Sequence, residues 1–282
     1  MSIVDLHTHS TASDGQYAPS ELVALAKERG IEVLALTDHD NIDGVEEAMR
    51  AGRELGLRVI RGVEISAADH LNLHILGYGF PADAEPLSGM IARLKAGRSS
   101  RKHRIHEYLR GKGIDVPLRE VEELAKGGVV GRPHFAHVML AHGYVSQRKE
   151  AFDLYLDTPE FHSLDNRKPS AEECIKTIKA SGGRVSLAHP YQIEFVRQDE
   201  RQLEPLLRRL TGYGLDALEC YYPKHTPQQQ AEYLALAEKY DLQVTGGSDF
   251  HGERNKPDHP LAAWSLEVDW LFEGAGQSFT TA

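Results

Sequence analysis

Short apolar runs alternate with amphipathic stretches over residues 1–80 and again after residue 168, and several of the apolar runs end in a polar cluster. Runs of period two predict strands, and stretches of period near 3.6 predict helices. Residues 2–7 give a first strand, followed by a helix over 20–29 that opens at Ser20 and stops at Gly30. The run EVLALTD gives a second strand that leads into Asp38 and His39, and a helix over 43–55 closes at Gly56. RVIRGVEIS is a third strand with Glu64 near its end. In NLHILGY, Leu73 and Ile75 alternate with Asn72 and His74, which puts His74 on the polar face of a fourth strand.

From about Pro81 to Arg167 the strand signal disappears. Stretches such as MIARLKAGRSSRKHRIHEYLRGKG, LREVEELAKGG, RPHFAHVMLAHG and KEAFDLYLD are amphipathic, so 81–167 reads as an all-helical insertion, or cap, between the two parts of one domain, 1–80 and 168–282. After it the alternation resumes. Ser170 and Glu173 form a capping box for a helix over 171–181, and RVSLAHP is a strand ending on His189. A helix over 200–211 precedes the strand ALECYYP; Thr226, Pro227 and Gln229 start another helix, and LQVTGGSDFH is the last clear strand. Alternating strands and helices predict an α/β fold with parallel strands. The polar clusters fall at or just after strand ends, which points to a β/α barrel with its site at the C-terminal face.

Composition narrows the function classes. A chain of 282 residues suits one barrel carrying an insertion. With 26% charged residues and no apolar run near the roughly 20 residues that span a bilayer, it reads as soluble. MSIVDLHTHS enters a strand without the basic and apolar regions of a secretory signal, so a cytoplasmic location and no membrane partner are expected. A formal charge of -10 argues against generic DNA or RNA coating, which needs a basic surface. It leaves room for an anionic substrate at a site made locally positive by bound cations. The two cysteines, Cys174 in a helical pattern and Cys220 in a strand pattern, read as small buried hydrophobes.

The clusters themselves carry chemistry. His7, His9, Asp14, His39, Glu64, His74, His189, Asp249 and His251 combine imidazoles with hard carboxylates and include no thiolate. That mixture suits manganese, iron or zinc in a hydrolytic site. It exceeds what one ion can use, so two or three divalent ions sharing a carboxylate are expected, with a bridging hydroxide as nucleophile. Any one of these histidines alone would more often be structural. His7 and His9 gain weight from their period-two spacing, and the remaining clusters at strand ends make coincidence a poor account. Asp5 shares their face by counting and is expected to partner a backbone or ligand group, while Asp38 and Asp40 either orient His39 or serve the turn.

These motifs resemble the PHP (polymerase and histidinol phosphatase) family of metal-dependent phosphoesterases. DLHTHSTASDG, LALTDHDNIDG, GVEIS, HILGY, LAHP and GSDFH match its motifs in order across nearly the whole chain. LKAGRSSR and GRPHFAHVM further resemble a subgroup of nucleoside 3′,5′-bisphosphate phosphatases and 5′-3′ exoribonucleases. The resemblance implies a distorted seven-stranded β/α (TIM-like) barrel with three metals, manganese foremost. One would be held by His7, His9, Glu64 and Asp249; one by Glu64, His74 and His189; one by Asp14, His39 and His251, with Glu64 the bridge. Many relatives have histidine or glutamate at the position of Asp14. The implied reaction is removal of the 3′-phosphate of pAp and similar bisphosphates, and 5′→3′ attack on 5′-monophosphorylated short RNA.

The stretch around Arg93–Lys112 is basic, and for most of it a solvated helix face is the simpler account. Arg98 and Arg101, three residues apart on a helix, could clamp a phosphate. Arg132 and His134 open a helical run whose free backbone N–H groups favour an anion, against a plain packing role. The resemblance makes those two a phosphate-binding pair and adds His225 as a substrate contact. His70, His103, His106, His137, His142, His162 and His259 lack strand-end placement and are left as surface or packing residues. Two rival readings stand beside the bisphosphatase: a small-metabolite phosphatase, such as one for histidinol phosphate, and a metal-binding module without catalysis.

Overall fold

A computed structural model describes residues 1–125, 130–163 and 168–272. The chain forms two compact units, one of Met1–Ala92 with Pro169–Ala282 and one of Arg93–Lys168. The first holds a single eight-stranded sheet in the order β7-β6-β5-β4-β3-β2-β1-β8. Its strands are β1 Ser2–Thr8, β2 Val33–Leu36, β3 Arg58–Ser66, β4 His74–Tyr78, β5 Arg184–Leu187, β6 Ala217–Tyr221, β7 Gln243–Gly246 and β8 Trp264–Leu266. It is an α/β barrel, and β1 shows how it closes. The first half of β1 pairs antiparallel with β8, Ser2 opposite Leu266. Beyond its other end, Asp249 N–H donates to the His7 carbonyl at 2.8 Å and His9 N–H to the Phe250 carbonyl at 2.9 Å. The chain following β7 therefore seals the ring at the end where the polar clusters sit.

Sequence period assigns the two faces. On β2, Leu34 and Leu36 pack with Leu22, Val23 and Ala26 of helix Pro19–Glu28 and with Ala48 of helix Val45–Leu55. Val33 and Ala35 point the other way and join Val4, Leu6, Ile60 and Leu76 in a second cluster. Both faces of β2 are buried, which is why its run is continuously apolar.

Several expectations are corrected. The sheet is not wholly parallel, because β4 runs antiparallel to both β3 and β5. The connection 67–73 is too short for the crossover that parallel neighbours require. Reversal puts the first residue of β4, His74, at the end where the other strands finish, opposite Ser66. Seven strands were expected; β8 is the eighth, and three residues are too few to show a period. The first helix starts at Pro19 rather than Ser20, with Glu21 accepting the Ala18 N–H at 2.8 Å, while the Ser20 hydroxyl donates to Glu47 at 2.6 Å. The helix expected over 200–211 is a 3-10 turn, Glu200–Gln202, followed by Leu203–Tyr213.

Helix Glu85–Gly111 carries the chain into the second unit, which has its own core of Ile105, Leu109, Val121, Phe135, Met139 and Phe161. Both cysteines are free and buried. No helix among the described residues is long and apolar enough to cross a membrane.

Candidate metal centre

Strand ends, or the loops that follow them, deliver each candidate ligand. His7 lies where the register of β1 against β2 slips between Asp5 and Thr8, an irregularity that re-aims the side chains around it. His39 follows β2 and bridges to Glu64 of β3. His189 and Asp249 follow β5 and β7 with backbone φ of 24° and 53°. Such left-handed backbone costs a non-glycine residue about 1–3 kcal/mol and persists only where the surroundings impose it.

Glu64 stands at the centre, fully buried. Its Oε1 lies 2.7 Å from His74 Nδ1 and 3.0 Å from His189 Nε2. Its Oε2 lies 2.8 Å from His39 Nδ1 and 3.3 Å from Nε2 of both His7 and His9. Asp249 Oδ1 is 3.3 Å from His9 Nε2 and 3.4 Å from His251 Nδ1. Asp14, the most exposed member, reaches His251 Nε2 at 3.3 Å and His39 Nε2 at 3.9 Å. In three sets, His9–Asp14–His39–His251, His7–His9–Glu64–Asp249 and His39–Glu64–His74, one ligand atom per residue lies within 4.8 Å of every other. His39 thus stands between two groupings, and His189 joins through the Glu64 oxygen that also meets His74.

This geometry fits divalent ions. His7 Nε2, His9 Nε2 and Glu64 Oε2 are buried and have no hydrogen-bond partner among the described residues, although they converge. Atoms each about 2.0–2.2 Å from a shared ion lie roughly 3–3.5 Å apart, the spacing found here. Electrostatics agree. Burial, with His39 and His251 alongside, lowers His9 to about 3, so it is a neutral donor. Burial alone would raise Glu64 and Asp249, but the surrounding histidines hold both well below the usual carboxylate range.

Behind the candidate ligands stand Glu219, which sequence reasoning missed, and the carboxylates Asp5, Asp38 and Asp40, which it singled out. Glu219 of β6 is fully buried and faces His7 Nδ1 at 3.1 and 3.3 Å, while accepting the His189 N–H at 2.7 Å. Accepting the Nδ1 proton would leave Nε2 to bind an ion shared with Glu64 Oε2. A charged residue between Leu218 and Cys220 in an otherwise apolar strand was the available signal. Asp5 accepts the Ser248 N–H at 2.9 Å and hydroxyl at 2.5 Å, so it ties β1 to the chain after β7. Asp38 accepts from Ser10 N–H, Ser10 Oγ and Ser13 Oγ and shapes the loop that carries Asp14. Asp40 accepts the Ser66 N–H at 3.0 Å. His259, left as a surface or packing residue above, is buried and lies 2.8 Å from the Tyr222 hydroxyl.

The expected substrate contacts are placed as follows. His225 is buried beside Tyr222 and Tyr233, with Nδ1 3.0 Å from the Cys220 carbonyl and Nε2 unpartnered among the described residues. Arg132 belongs to the second unit, where it donates to Asp157 at 2.6 Å and to the Leu156 carbonyl at 3.2 Å. His134 Nδ1 accepts the Gly131 N–H at 3.0 Å, a helix-capping contact. Arg98 and Arg101 ride on helix Glu85–Gly111, and their side chains lie outside the described residues.

The chain is similar to known proteins along nearly its whole length. The sequence pattern of the PHP domain matches residues 5–248. The chain is 36% identical to a 5′-3′ exoribonuclease of Haemophilus influenzae over 88% of its own length and 89% of that protein's. It is 30% identical to a phosphoribosyl 1,2-cyclic phosphate 1,2-diphosphodiesterase of Eggerthella lenta, covering 91% of this chain and 97% of the other. A 3′,5′-nucleoside bisphosphate phosphatase of Chromobacterium violaceum is 28% identical, with 89% and 88% covered. Among solved structures, a provisionally assigned metal-dependent phosphoesterase of Bifidobacterium adolescentis superposes with a TM-score of 0.70 at 31% identity, covering 96% of this chain and 94% of its own.

Proposed function

Since the chain belongs to the PHP family and is a metal-dependent phosphoesterase, we propose that it removes the 3′-phosphate of nucleoside 3′,5′-bisphosphates such as pAp. We further propose that it acts on short RNA bearing a 5′-monophosphate, in the 5′→3′ direction. The two reactions are one chemistry, because both cut the P–O bond at a ribose 3′ oxygen. With RNA the cut releases one mononucleotide and leaves a new 5′-phosphate for the next round. The convergence of both Glu64 oxygens with five histidines is the observation that supports it most directly. The names of the Haemophilus and Chromobacterium relatives support the substrate class.

In this reading His7, His9, Glu64 and Asp249 hold one ion, Glu64, His74 and His189 a second, and Asp14, His39 and His251 a third. Manganese is the ion proposed, with zinc or iron as the alternatives for such nitrogen and oxygen donors. Bound divalent ions supply positive charge for phosphate oxygens and make water acidic enough to deprotonate near neutral pH. The chain's own residues orient and neutralise. Glu219 fixes the His7 ring, Asp38 holds the loop of Asp14, and Arg98, Arg101, Arg132, His134 and His225 take the substrate's phosphates and nucleotide. The reading places the enzyme in the cytoplasm with its nucleotide and RNA substrates.

Metal uptake is expected to expel protons. Burial disfavours the charged form of His39, but Glu64, aided by Asp14 and Asp249, outweighs it and raises the ring to about 9. Below that pH the metal-free ring carries an extra proton that must leave before the ring can bind an ion. Apparent affinity therefore rises with pH up to about 9. Calorimetric titration in buffers of different ionisation enthalpy checks this, and the same heat in every buffer would contradict it.

The substrate is tested by phosphate release in manganese from pAp, 3′-AMP, 5′-AMP and histidinol phosphate. A strong preference for pAp that Arg132→Ala removes is the expected result. Equal or better turnover of the monophosphates would move the protein to general small-metabolite phosphatases. No turnover with metals bound would make it a binding module.

A further inference from the structure

Asp249 uses its two oxygens differently. Oδ1 faces His9 and His251, whereas Oδ2 turns away and accepts the Tyr222 hydroxyl at 2.9 Å. Lys256 Nζ also contacts Oδ2. Tyr222 is buried, and its oxygen in turn receives Gln192 Nε2 and lies 2.8 Å from His259 Nε2, whose ring is 3.0 Å through Nδ1 from Asp258. The hydroxyl is therefore held from three sides. The Asp249 backbone is anchored too, by its N–H on the His7 carbonyl. What remains free is rotation of the carboxylate about its own side-chain bonds. A carboxylate beside a cation can present one oxygen or both, and unless something holds the second oxygen it can turn inward.

We propose that Tyr222 is a positioning residue that makes Asp249 a one-oxygen ligand, with the amide of Gln192 holding its hydroxyl oxygen in place. The inference rests on the reading of Asp249 as a metal ligand. Lys256 shares the oxygen but gives no clean test, because removing its charge also removes a repulsion that opposes cation binding. Tyr222→Phe keeps the ring and deletes only the hydroxyl.

The experiment titrates manganese into metal-free wild-type and Tyr222→Phe protein by calorimetry and records the thermal midpoint of both metal-free proteins. The expected result is a Kd raised about ten- to hundredfold with an unchanged midpoint, the scale on which outer partners of metal ligands act. A Kd within about twofold of wild type, or a loss matched by a lower midpoint in the metal-free protein, would overturn the proposal. Wild-type protein that takes up neither manganese nor zinc nor iron in the same titration would instead bring down the metal reading beneath it.

Discussion

Glu64→Gln is expected to strip the centre of metal and to lower phosphoesterase activity by about a thousandfold or more, beyond the ten- to hundredfold that loss of an outer partner costs. The reason is geometric. Oε1 serves His74 and His189, and Oε2 serves His7, His9 and His39, so the residue belongs to two of the three groupings and touches His9 and His39 of the third. Glutamine has nearly the same shape but replaces one oxygen with an N–H₂ that must point at imidazole nitrogens needed as donors to metal. It also deletes the negative charge that offsets those ions in a fully buried position. Metal content after purification in manganese, measured by atomic emission beside phosphate release, checks the claim. Wild-type metal content in the variant would show that Glu64 is not the bridge.

Most candidate ligands could be read from the sequence because each pairs a metal-binding type of side chain with the end of an apolar run, and both features are local. What was not legible depends on direction or on distance. The alternation in NLHILGY marks a strand and its polar face but says nothing about which way the strand runs; only the short connection 67–73 carried that information. Glu219 and Tyr222 act on residues far away in sequence: Glu219 meets His7 across 212 positions. Asp5, expected to partner a backbone or ligand group, accepts the Ser248 N–H and hydroxyl, and only the identity of that distant partner was out of local reach. His259 looked idle because it follows no strand, and it matters only through the hydroxyl of Tyr222. The GSDFH motif, by contrast, announced Asp249 and His251 but not the importance of the glycine before them.

That glycine supports the second large expectation, for Gly247→Ala. A Cβ at this position would sit 2.1 Å from His7 Cβ, 2.7 Å from His7 N and 2.8 Å from Glu219 Oε1. Neither neighbour can retreat cheaply. The His7 carbonyl is bonded to Asp249 N–H and its N–H to Asp5, and Glu219 is engaged by both His7 and His189. One methyl group must therefore push β1 away from the chain after β7, or drive His7 out of line with Glu64. Overpacking a rigid interior costs about 1–3 kcal/mol and sometimes more, so the thermal midpoint should fall and metal content should fall with it. Gly212→Ala is the matched control: nothing lies within 4 Å of its Cβ, and alanine inside helix Leu203–Tyr213 should stabilise by roughly 0.5–1 kcal/mol. If Gly247→Ala kept both its midpoint and its metal, the close approach of β1 and the chain after β7 could not be what aligns His7 with Glu64.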